Sequence, residues 1–152
     1  MTFIEVQAFI SASSPTLNAK GVNTFPAIVT VSFVAGKVTL TPVLMSNAPG
    51  FSAITGAPVT PNLVDPDSMT TVPHGGLLLS NQASDQLIVV AKPGTDEQTA
   101  FVLPVTSPTG ASLSIDDSVI PKSARGFILV TDQASGVIYK VESSPPFKLY
   151  FP

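Results

Sequence analysis

The chain contains no cysteine, which excludes disulfides, thiolate metal sites and a cysteine nucleophile. Charge is scarce as well. Only 11% of the residues are charged, and seven basic residues stand against ten acidic ones. That balance leaves no basic field to hold phosphates, so nucleic acid is excluded as a partner class. No uninterrupted apolar run reaches the ~18 residues that a membrane-spanning helix requires. The opening MTFIEVQAFISAS has no basic stretch and places Glu5 inside its apolar part, unlike a signal peptide. A Walker-type phosphate loop, a dinucleotide fingerprint and a Gly-x-Ser-x-Gly elbow are all missing.

What remains is a chain with 44% hydrophobic residues, too apolar for disorder and, at 152 residues, long enough for one domain with a substantial core. Few charges, no cysteine and abundant Ser, Thr, Val and Pro suit a secreted or periplasmic protein. Fifteen prolines and ten glycines interrupt the chain at intervals too short for long helices. Between them lie short β-branched or apolar runs. Strands are expected at 3–10 and at GLLLS, QLIVVA, AFVLPV, FILVT, VIYKV and FKLYF, with a shorter one at FSAIT. AIVTVSFVAGKVTLTPVL adds two more around Ala35-Gly36-Lys37, a hairpin signal. The fold class expected is all-β.

One hairpin is written twice. GGLLLSNQASDQLIVV (75–90) aligns with RGFILVTDQASGVIYKV once Gly75 is set on Gly126, giving six identities in sixteen positions. Leu78 then falls on Leu129, Gln82 on Gln133, Ala83 on Ala134, Ser84 on Ser135 and Val90 on Val141. One inserted residue upstream brings Asp67-Ser68 onto Asp117-Ser118, and FVLP (101–104) loosely matches FKLYFP (147–152). The unit is about fifty residues, a period typical of propeller blades. In the second copy its four strands would be SIDDSVI, GFILVT, GVIYKV and FKLYF.

Gly126, Phe127, Ile128, Val130, Asp132, Ile138 and Val141 follow a spacing that resembles the repeat of NHL and SMP-30-like β-propellers, over residues 63 to 152. Asn81 stands in the first copy where the pattern has Asp. The resemblance implies blades of four antiparallel strands: a diverged one at 1–62, one at 63–107 and one at 108–152, within a single all-β domain. Three blades are too few to close a ring, since propellers need four to eight. The implied arrangements are a homodimer making six blades by twofold symmetry, or part of a longer propeller. A β-sandwich is the alternative fold, since two similar hairpins can also face each other across one.

Few residues point to chemistry. Asp65, Asp67, Asp116 and Asp117 sit just before the first strand of each repeat and offer oxygen ligands for Ca²⁺ or another divalent cation. SMP-30-like members resemble metal-dependent lactonases, but those combine Glu, Asn and Asp around one ion. Here Glu5, Glu97 and Glu142 are the only glutamates, and none lies beside a suitable Asn. The plainer expectation is that Asp67 and Asp117 cap turns, and that Asn81 and Asp132 close their own hairpins as Asx turns. His74, the only histidine, lies in the turn-like VPHGG, without the elbow serine a triad would need. Arg125, the only arginine, precedes a strand and could hold a carboxylate. Phe127, Tyr139, Phe147, Tyr150 and Phe151 either fill a core or supply an apolar interface. The functions implied are a non-enzymatic binding or scaffold module, an SMP-30-like hydrolase, or a structural subunit of an extracellular or fibre-forming assembly. No organic cofactor is implied.

Overall fold

The computed structural model describes residues 1–120, 127–132 and 134–142. Its regular structure is β, apart from two single 3-10 turns at Pro73–Gly75 and Gln82–Ser84. The chain divides into two compact units, 1–120 and 121–152.

The first unit opens with a four-stranded antiparallel meander, β1 (Thr2–Ile4), β2 (Gln7–Ser11), β3 (Pro26–Val34) and β4 (Lys37–Met45), in that spatial order. The single strand expected at 3–10 is therefore a hairpin. Glu5 takes a left-handed φ of 52° and reverses the chain, so Phe3 pairs with Ala8. β3 and β4 form the hairpin expected around Ala35-Gly36-Lys37. Ala35 and Gly36 both have positive φ, as a two-residue turn matched to strand twist requires.

A second sheet runs β6-β5-β10-β9-β8-β7. Its larger part is another antiparallel meander: β7 (Pro66–Val72), β8 (Gly76–Asn81), β9 (Gln86–Ala91) and β10 (Thr99–Pro104). β5 (Gly50–Ser52) adds parallel to β10, and β6 (Pro58–Val59) pairs antiparallel with β5. FSAIT thus contributes a strand only through Ser52.

The two sheets share one core. Phe9, Ile28 and Leu44 of the first pack with Leu77, Leu79, Ile88, Val90, Ala100 and Val102 of the second, and Leu63 joins them from the connecting loop. At about 25 cal/mol per Å² of apolar surface removed from water, this cluster is what holds the sheets together. A buried polar knot ties down the loops beside it. Asn23 Nδ2 donates to Ser46 Oγ (2.6 Å) and to the Leu63 carbonyl (2.7 Å), while Asn23 Oδ1 accepts from Phe25 N–H.

The second unit contains one antiparallel pair among its described residues, β11 (Phe127–Asp132) and β12 (Val137–Glu142). SIDDSVI (114–120) is not a strand. Instead Ser118 Oγ meets Ser80 Oγ of β8 at 3.3 Å, so this stretch contacts a sheet through a side chain rather than adding to its edge. FKLYF lies outside the described residues.

Candidate functional site

The written repeat is also a structural repeat, pair for pair. In the first hairpin Leu77 faces Val90, Leu78 faces Val89, Leu79 faces Ile88, Ser80 faces Leu87 and Asn81 faces Gln86. The alignment that sets Gly75 on Gly126 turns these into Ile128–Val141, Leu129–Lys140, Val130–Tyr139, Thr131–Ile138 and Asp132–Val137. Those are the partners observed in β11–β12. Since a slip of one residue would flip every side chain to the other face, an identical register assigns equivalent residues to equivalent faces.

Their environments differ. Leu79, Ile88 and Val90 are fully buried against the first sheet, whereas Val130, Tyr139 and Val141, their counterparts, are 42 to 50% exposed. Phe127 is exposed too, with Lys140 Nζ 4.7 Å from its ring centre. It occupies the position of Gly76, where an added Cβ would lie 2.8 Å from Val72 Cγ2. The flank of the second hairpin therefore cannot be packed as β7 packs the first. Of the five aromatics expected at an interface, Phe127 and Tyr139 are solvent-facing. Phe147, Tyr150 and Phe151 lie outside the described residues, as does Arg125.

The first sheet carries a second uncovered surface. Register places Phe3, Ala8, Val31 and Leu40 in one row, Ile10, Val29 and Pro42 in the next, and Phe33 beside Val38. This face has no polar side chain in those rows. The opposite face carries Thr30 with Thr41 and Ser32 with Thr39 over its outer half, and Phe9, Ile28 and Leu44 only where it meets the core. Phe33 is 76% exposed and Leu40 59%. A cavity of about 560 Å³ opens on this apolar face, lined by Met1, Phe3, Ala8, Ile10, Val31 and Phe33 among others.

The four aspartates expected at a metal site do not converge. Asp65 Oδ1 accepts from Ser14 N–H (3.1 Å) and Ser13 Oγ (3.3 Å). Asp67 is inside β7 rather than capping the turn before it, and its carbonyl accepts from Ser11 Oγ. Asp117 Oδ1 accepts from the N–H of Ser118. Asp116 is exposed beside it. Among the described residues no three acidic or imidazole side chains come together. The repeat does meet itself at this point, but through hydroxyls: Ser80 Oγ accepts from Ser68 (3.1 Å) and contacts Ser118, the two serines that the alignment equates.

Asn81 departs from its expected role. It does not close its own turn, which is a 3-10 turn ending in left-handed Asp85. Asn81 is fully buried, and its Oδ1 accepts instead from Asp65 N–H (3.1 Å), joining the hairpin to the strand before it. A buried acceptor takes whichever donor packing supplies. His74 sits at φ 65° in the exposed turn Pro73–Gly75.

The fold defines a class and no more than that: an all-β protein built from mainly antiparallel sheets. No family model matches the chain, and no curated protein or solved structure shows significant similarity to it.

Proposed function

We propose that this protein is a non-enzymatic binding or scaffold module of propeller-like four-stranded units, acting by assembly with further β-sheet surface. The observation that carries the reading is the pair of uncovered apolar faces, one on the first sheet and one on the β11–β12 hairpin. Soluble monomers seldom leave contiguous apolar patches beyond a few hundred Å² without a partner for them. Two four-stranded meanders and a hairpin of matching register fit the expectation of repeated blades. On this reading two apolar faces need covering, and a homodimer provides that most simply.

A hydrolase of the SMP-30-like type has less support, because the Asp65 and Asp117 carboxylates make unrelated local bonds and no three acidic side chains meet among the described residues. Light scattering behind a sizing column tests the proposal. A species of twice 15.7 kDa, or larger, is expected. A clean monomer at every accessible concentration overturns the self-assembly reading.

A further inference from the structure

We propose that the outer face of the first sheet is the receptor for the β11–β12 hairpin of a second copy of this chain, which docks there through Val130, Val137, Tyr139 and Val141. The proposal rests on the self-assembly reading above and gives it a surface.

The chain itself shows what a hairpin of this sequence packs against. Leu79, Ile88 and Val90 of the first hairpin are buried in a cluster with Phe9, Ile28 and Leu44 on the inner face of the first sheet. Val130, Tyr139 and Val141 stand at the same register positions of the second hairpin, are predominantly apolar and are about half exposed. Among the described residues no apolar sheet face covers them. The outer face of the first sheet is such a face, and its central row of Phe3, Ala8, Val31 and Leu40 lacks a covering layer. The cavity between Phe3 and Phe33 gives it the concavity to accept a ring such as that of Tyr139.

A second copy is the occupant because one chain carries both halves. Two chains related by a twofold satisfy both contacts at once, each lending a hairpin and receiving one. The area is adequate. Taking about 150–200 Å² for a fully exposed large side chain, Phe3, Phe33, Val38 and Leu40 expose roughly 500 Å² and the four hairpin residues roughly 300 Å². Two reciprocal contacts would bury about 1,600 Å², the size of a standard stable interface. Neither set of residues includes a charged side chain; the one charged position that register adds to the hairpin face is Asp132, opposite Val137 beside the turn, at the rim of the contact where charge stays in water.

The absence of cysteine makes the test clean. Leu40→Cys and Tyr139→Cys are made separately, one of them carrying a mass tag, then mixed and treated with a short bis-maleimide. The expected result is a hetero-linked dimer, in clear excess over that from Thr109→Cys mixed with Tyr139→Cys, Thr109 being an exposed turn residue on neither face. Leu40→Asp should shift wild-type dimer to monomer without loss of the folded state, because Leu40 lies outside the core. Linking no better than the control, or a dimer unaffected by Leu40→Asp, overturns this surface while leaving self-assembly intact. Wild type that is monomeric throughout overturns both.

Discussion

Asn23→Ala is the substitution whose cost is most directly set by the structure. Asn23 is fully buried and joins three loop positions of the first unit. Its amide donates to Ser46 Oγ and to the Leu63 carbonyl, both on fully buried residues, and its carbonyl accepts from Phe25 N–H at 2.9 Å. Removing it leaves two buried acceptors without a donor, at about 1–3 kcal/mol each. Phe25 is exposed, so water replaces its bond at little cost. A loss of roughly 3 kcal/mol follows, a large part of the ~5–15 kcal/mol that holds a domain folded. With a urea slope of about 2 kcal/mol per molar, the unfolding midpoint should fall by roughly 1.5 M. Asn62→Ala is the control. It also removes two bonds, to Asn23 N–H and the Gly21 carbonyl, but at a part-exposed site where water can enter. About 1 kcal/mol is expected there. Equal midpoints for the two variants would refute the argument that burial, not bond count, sets the cost.

Two further outcomes can be checked with the same melts. Gly50→Ala places a Cβ 2.6 Å from the Ala100 carbonyl oxygen, which must force β5 off β10. A loss of about 1–3 kcal/mol is expected, and an unchanged urea midpoint would show that this edge is free to move. Calcium and EDTA should leave the melting temperature unchanged, since the Asp65 and Asp117 carboxylates are engaged in separate local bonds and no three acidic side chains come together among the described residues. A calcium-dependent rise abolished by Asp67→Ala would revive the metal-site reading.

Much of the strand layout was legible along the chain. AIVTVSFV and KVTLTP alternate with a period of two around Ala35-Gly36, and GLLLS and QLIVVA are bounded by turn residues; in each case the local pattern and the fold agree. The repeated hairpin was legible to the level of register, because a shared spacing of apolar residues and turn dictates which residues pair. The division of 3–10 into two strands was not. It depends on a left-handed Glu5, a conformation with no composition signal at a residue that is neither Gly nor Asn. Asn23 and Asn81 were equally silent. Their partners lie 40 and 16 residues away, and nothing local distinguishes an Asn that will be buried.

The candidate surface divides in the same way. Alternation alone determined that Val29, Val31 and Phe33 share one side of β3, and Thr30 and Ser32 the other. It would also have turned the apolar side inward. Tertiary structure decided otherwise, because the core takes Phe9, Ala27, Ile28 and Leu44 from this sheet, three of them at the end where the register of β3 against β4 shifts around Ile28. Strand periodicity specifies which residues share a face, but which face is covered depends on what packs against it, and that information resides in segments distant along the chain.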